Sequence, residues 1–229
     1  MKIIVAIDGF AASGKSTIAQ DLAEKTRYTH IDSGAMYRAV TLFGIQKGLL
    51  TSASNINSKK LIELLPTINI SFDRTPENYV TMLNGNNVEK EIRSLQVSNL
   101  TPYVAKIAEV RNFLTARLRE MGKDKGVVME GRDIGTVVFP NAKMKVFVTA
   151  PLNLCVERRL EELKQQGNTA TYQSVKSDIL ERDKMDSAWT HPAKDAIRID
   201  NGTTPIDETV QKLLAIFNKL TTANMVFKT

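Results

Sequence analysis

One cysteine, one tryptophan and two histidines occur in 229 residues. The lone Cys155 excludes an internal disulfide framework and suits a reducing cytosol. Its setting, NLCVERRL, reads as a helix face, so buried filler is expected rather than a reactive thiol. No apolar run approaches the roughly 20 residues a bilayer crossing needs. The N-terminus reads as no secretory leader, because the apolar run after Lys2 ends at Asp8. A concentrated basic tract is also missing. The net charge of +6 is spread over single arginines such as Arg38, Arg93, Arg111, Arg132 and Arg182. No basic stripe is interleaved with aromatics, so nucleic acid is not the expected partner. Arginines far apart in sequence that meet in the fold suit a small polyanion such as a nucleotide. Composition alone is described as well by a mildly basic, solvated surface.

The residues that are present read as an ordinary globular chain, with 42% apolar and 24% charged side chains. Short apolar runs at 2–8, 28–32, 126–130, 143–150 and 196–200 predict buried strands. Helical patterns fill the gaps: Lys15–Thr26, Ala35–Gly48, Gln96–Met121, Leu152–Gln166, Ser174–Lys184 and Ile206–Leu220. Pro102 predicts that the third of these is kinked or split in two. Strands alternating with helices imply an α/β fold with a parallel sheet covered on both faces. Residues 67–93 break that rhythm. INISF, a proline-containing turn, YVTML and NGNN read as an antiparallel hairpin unit inserted outside the main sheet. Residues 221–229 read as a frayed tail.

GFAASGKS, residues 9–16, fits G-x-x-x-x-G-K-[ST] and lies between an apolar strand and a helix. A chain curling there aims successive N–H groups inward and makes an anion nest. Gly9 and Gly14 are expected to supply positive φ and close backbone approach. Lys15 adds a full charge toward the outer phosphates of a nucleoside triphosphate, and the Ser16 hydroxyl is placed for Mg²⁺. Asp8 either holds a metal-bound water or caps the bend at the strand end. Two further segments follow predicted strands. In IDSGAMYRAV, Asp32 and Ser33 can cap the next helix, and Arg38 lies one turn in beside Tyr37, as a second anion site requires. In MEGRDIGTVVFP, Gly131 turns the chain and exposes Arg132 and Asp133 at a carboxyl end, the edge where parallel sheets bind ligands.

AIDGFAASGKST, IDSGAMYRAV, LNGNNVEKEIR, MEGRDIGTVVFP and ERDKMDS together resemble the bacterial cytidylate kinases, in order, over residues 2–200. The resemblance implies a phosphate-loop three-layer fold with a five-stranded parallel sheet, a helical lid and a small antiparallel insert. The expected division is a core (1–34, 123–150 and 168–220), a monophosphate-binding region (35–122) carrying the insert, and a lid (152–167) hinged near Gly167. The implied reaction moves the γ-phosphoryl of ATP, with Mg²⁺, onto CMP or dCMP. The alternatives are a kinase for another monophosphate and a nucleotide-binding module with impaired catalysis. By the same resemblance, Gly9, Phe10, Ala11, Ala12, Ser13, Gly14, Lys15, Ser16 and Thr17 wrap the ATP phosphates. Ser33, Arg38 and Arg132 hold the CMP phosphate, Tyr37 is a further substrate-binding residue, and Arg111 and Asp133 read the cytosine edge. Thr101 offers a hydroxyl to the base, and Arg182 and Asp186 reach the acceptor ribose or phosphate. Arg158 and Arg159 clamp the transferring group, and Arg93 is either a ligand or a hairpin anchor. The family is usually monomeric, which sets the expected oligomeric state.

Three departures stand out. Phe10 replaces a common proline, Glu130 stands where the family often has Asp, and AWTHPAKDAIRID puts Trp189 near an expected arginine, with several residues missing. Trp189 is expected to pack at a helix end and His191 to sit in a loop.

Overall fold

The computed structural model describes residues 1–74, 79–165, 167–202 and 204–222. Ten strands and eight α-helices, with three shorter helical turns, occur among these residues. Contacts divide the chain into two units, residues 32–121 and the described remainder on either side.

The first unit is built on strands β1 (Ile4–Gly9), β2 (Thr29–Asp32), β8 (Val127–Gly131), β9 (Met144–Thr149) and β10 (Ile197–Asp200), in the order β10-β9-β1-β8-β2. β2 contributes all but its last residue to this unit. β1 runs parallel to both β8 and β9, and β9 runs parallel to β10. The apolar run of β1 is buried on both faces because it holds the centre, where an alternating pattern would put polar groups in the core. Val5, Ile7, Val128, Val146 and Val148 pack with Ile18 and Leu22 of α1 (Lys15–Thr26) and with Val210, Leu213 and Phe217 of α8 (Ile206–Thr222). From β1 the chain goes to β2 and β8 on one side and to β9 and β10 on the other. The carboxyl end of β1 is therefore the switch point at which open parallel sheets bind ligands. A second cluster joins α6 (Leu152–Gln165) to α7 (Tyr172–Asp186) through Cys155, Val156, Leu163, Val175 and Ile179. Burial pushes the Cys155 thiol up, which fits the expected inert filler.

The second unit holds α2 (Ser33–Gln46), a short β3–β4 hairpin (Leu50–Ser52, Asn55–Ile56), α3 (Ser58–Leu64), a three-stranded sheet β5-β6-β7 (Ile70–Arg74, Tyr79–Leu83, Asn86–Asn87), α4 (Leu95–Val104) and α5 (Ala108–Met121). The predicted insert is present and antiparallel, with Ile70 opposite Leu83 and Phe72 opposite Thr81. NGNN adds a third strand to it, because Asn84 and Gly85 take positive φ and turn the chain back. The proline-containing turn at 75–78 and the tail at 223–229 lie outside the described residues. Residues 50–64, whose periodicity is weak, form the β3–β4 hairpin and α3 without having been predicted. Gln96–Met121 is two helices, and Pro102 is tolerated in the last turn of α4. No helix among the described residues is long and apolar enough to cross a membrane.

Candidate functional site

In the first unit, residues 9–14 bend from β1 into α1. Gly14 has φ +84, and a Cβ on it would lie 2.1 Å from Nδ2 of Asn201. The second left-handed residue is Ala12 at φ +53, whereas Gly9 is not in that region. Gly9 is required by close packing instead, since a Cβ there would lie 2.3 Å from the carbonyl oxygen of Val148. The sequence expectation of positive φ at both glycines is thus corrected: the left-handed turn falls on an alanine, a strained choice of the kind found at ligand sites. α1 starts without a side-chain cap and without an acid in its first turn, so its amide donors meet no competing carboxylate there. Lys15 is half-buried at this helix start, and Thr17 is exposed.

Carboxylates from three elements support the loop. Asp8, 4% exposed, accepts from the backbone N–H of Ile134 and of Gly135, each at 2.7 Å. Neither reading of Asp8 is displayed here: both oxygens are taken up by the turn after β8 and not by the bend that follows β1. Burial, helped by the nearby Asp133 charge, pushes its pKa up to about 6 against the two amide donors and Arg132. Asp183 on α7 accepts from the N–H of Ala11, and burial raises its pKa. Arg132 donates from Nε to Asp186 and from Nη1 to the Gly9 carbonyl, both at 2.9 Å, and so ties α7 to the loop. Asp133 is buried. Arg182 is half-buried on α7. Phe10 packs edge-on against Phe147.

Glu130 at the end of β8 is 1% exposed. Its Oε2 accepts from the Ser16 hydroxyl at 2.6 Å, and its Oε1 lies 2.9 Å from Nε2 of His30 on β2. A hydroxyl and a carboxylate are hard oxygen donors of the kind Mg²⁺ takes, so this pair fits that ion. Among the described residues no group of three or more His, Cys, Asp or Glu could hold a metal by itself.

The two arginines of α6 expected in the lid diverge. Arg158 donates to the backbone oxygen of Asn201 at 2.8 Å, and its buried Nη1 has no hydrogen-bond partner among the described residues. Arg159 turns to Glu162 on its own helix. Asn201 is buried after β10 and donates to the Ser13 carbonyl. His30, Asp183 and Asn201 escape the sequence reading. His30 lies within a predicted strand, but between Thr29 and Asp32 in THID it gives no signal of its own.

The altered segment after α7 is tied back to the unit. The Trp189 and Thr190 amides and the Thr190 hydroxyl all donate to the Asp186 carbonyl, and Lys145 holds Asp195 with both oxygens at 2.9 Å. Trp189 thereby stands half-buried at the helix end, and His191 is exposed in a loop.

In the second unit, Arg38 donates to Asp32 at 2.6 Å, and its Nε is buried with no hydrogen-bond partner among the described residues. Ser33 is buried at the first position of α2. The Arg111 guanidinium lies 5.9 Å from the centre of the Tyr37 ring. The Thr101 hydroxyl donates to the Val97 carbonyl at 2.7 Å, so it has lone pairs but no proton to offer a base. Arg93 is bound to Glu89, which also accepts from the Thr81 amide and hydroxyl. Those bonds make Arg93 an anchor of the insert.

The family model described as cytidylate kinase matches residues 5–219. A cytidylate kinase of Flavobacterium johnsoniae is 44% identical over 95% of this chain and 96% of its own length. One of Phocaeicola vulgatus is 46% identical over 90% and 93%. Among solved structures, an uncharacterized protein from Eubacterium ventriosum aligns with a TM-score of 0.53 at 14% identity, covering 95% of this chain and 99% of that one. Shikimate kinase from Bacteroides thetaiotaomicron aligns with a TM-score of 0.50 at 12% identity over the same shares. Those two likenesses concern the fold alone.

Proposed function

Because the chain belongs to the cytidylate kinase family, we propose that it transfers the γ-phosphoryl group of ATP to CMP, and to dCMP, giving the diphosphates. The observation that carries this reading is the match to curated cytidylate kinases over nine-tenths or more of both chains. The bend between β1 and α1 agrees with it.

Phosphoryl transfer asks the protein for alignment and charge neutralisation. The loop amides and Lys15 hold the ATP phosphates. Ser16 would hold Mg²⁺ directly and Glu130 would orient its water. When bound there, the ion would supply charge neutralisation to the phosphates. Arg132 has Nε and Nη1 committed to Asp186 and Gly9, which leaves Nη2 to donate to a phosphate. Arg158 has a buried nitrogen to spare beside the loop and acts as the clamp, with a weaker contribution from Arg159. The lid is α6 with the residues up to Gly167, and its closure keeps water from the γ-phosphoryl.

Ser33 and Arg38 hold the acceptor phosphate. The Arg38–Asp32 pair keeps the guanidinium in place until an anion takes it. Tyr37 supports Arg111 from one face. Arg111 donates to the acceptors of cytosine, Asp133 accepts from its amino group, and Thr101 offers lone pairs. Uracil would turn a carbonyl toward the carboxylate, leave polar groups unpaired and be rejected. Arg182 and Asp186 reach the ribose or phosphate. The working form is a cytoplasmic monomer.

The test is turnover of CMP, dCMP, UMP and AMP with ATP and Mg²⁺, read as ADP release. CMP and dCMP should lead by at least roughly tenfold. Preference for another monophosphate, or binding of ATP without turnover, would replace this reading.

A further inference from the structure

His30 has no part in the roles above, yet it is 5% exposed and aims Nε2 at a carboxylate that is 1% exposed. A buried carboxylate and imidazole are costly to desolvate, and well-packed apolar residues in their place are often as stable or more so. Packing alone therefore gives no reason for this pair in a strand whose next residue is the fully apolar Ile31. The other oxygen of the same carboxylate takes the hydroxyl of Ser16, the phosphate-loop residue expected to take a divalent cation. The chain of contacts His30–Glu130–Ser16 crosses from β2 through β8 to the start of α1.

We infer that His30 is a positioning residue for cation binding, acting through Glu130. An ionised carboxylate only accepts, so the His30 contact fixes Nε2 as the protonated nitrogen. That bond holds Oε1 and sets the plane of the carboxylate. Oε2 is then aimed to take the Ser16 proton at 2.6 Å. With its proton directed at Glu130, the hydroxyl presents lone pairs to the cation that accompanies the nucleotide. Without His30, Oε1 loses this donor in a buried setting. The carboxylate gains by rotating toward another, and the Ser16 hydroxyl loses its orientation.

The inference rests on reading this loop as the Mg·ATP site, and the experiment separates the two. ATP binding is measured by calorimetry at stepped Mg²⁺ concentrations and in EDTA, for the wild type, His30→Asn and His30→Gln. The Gln amide reaches about as far as Nε2, whereas the Asn amide stops near Nδ1. In His30→Asn the Mg²⁺ concentration giving half of the gain in ATP affinity should rise roughly tenfold to a hundredfold. Affinity in EDTA should be unchanged, and His30→Gln should lie near the wild type. A His30→Asn titration matching the wild type overturns the inference, and so does an equal loss in EDTA. Where His30→Asn does not fold, His30→Leu replaces it under the same criteria. A chain that folds with Gln but with neither Asn nor Leu assigns His30 to stability alone and also overturns the inference. A wild type whose ATP affinity ignores Mg²⁺ overturns the site reading itself, and the inference with it.

Discussion

The surroundings of the phosphate loop and the arginine-bearing face of α2 handle charge in opposite ways. Around the loop, Asp8 and Glu130 are 4% and 1% exposed, and each has both oxygens engaged. On α2, Arg38 and Asp32 keep 15% and 21% of their side chains in solvent and share one contact of 2.6 Å. Breaking a buried network by removing one partner costs about 3–5 kcal/mol. A partly exposed ion pair is worth about 1 kcal/mol or less, so an arriving phosphate displaces its carboxylate easily. In the proposed reaction, the donor side is set before the nucleotide arrives, whereas the acceptor side holds its arginine on a weak local counter-ion.

The sharpest way to break this contrast is Arg132→Ala. It removes the link from the Gly9 carbonyl to the buried Asp186 as well as a cation for the phosphates. Steady-state kinetics should lose on the order of a hundredfold to a thousandfold in kcat, together with a lower melting temperature. A loss confined to the KM for CMP would place Arg132 with the lightly held group.

Asp8 tests the same side through pH. Its pKa in the folded chain, about 6, lies above its ordinary 3.8, so between those values the folded state keeps a proton that the unfolded state has released. The contribution of this group to stability therefore falls as pH rises from about 4 to about 6 and is flat above, by at most about 3 kcal/mol. Urea midpoints at pH 4.5 and 7 should show the wild type losing ground to Asp8→Asn on going to the higher pH. No change in their difference would mean that Asp8 titrates as an exposed acid does.

Arg38→Ala should have the smallest and most local effect. The KM for CMP should rise roughly tenfold to thirtyfold, the value of a charge-assisted hydrogen bond. The KM for ATP and the melting temperature should hardly move. An equal rise in both KM values would abolish the distinction between the two sides.

The expected acceptor residues Ser33, Tyr37 and Arg38 could be named from the sequence because they fall in one contiguous motif; Ser33 and Tyr37 share a helix face, whereas Arg38 does not follow from spacing. The phosphate loop was legible for the same reason, down to the helix start at Lys15. His30 and Asn201 were not, because each reaches the loop from a separate strand, β2 or β10, and a lone histidine or asparagine at a strand carries no spacing to read. The β3–β4 hairpin was missed because strands of three and two residues leave no period to detect.

By itself the sequence determined the strand–helix alternation, the insert, the anion-binding loop and the family. Local periodicity and contiguous motifs are enough for these. Only the tertiary structure decided that left-handed φ falls on Ala12 while Gly9 yields to the Val148 carbonyl. Only it decided that Asp8 spends both oxygens on amides at 134 and 135, more than a hundred residues away. Which carboxylate meets which donor depends on the register of parallel strands, and no residue carries that register in its own neighbourhood.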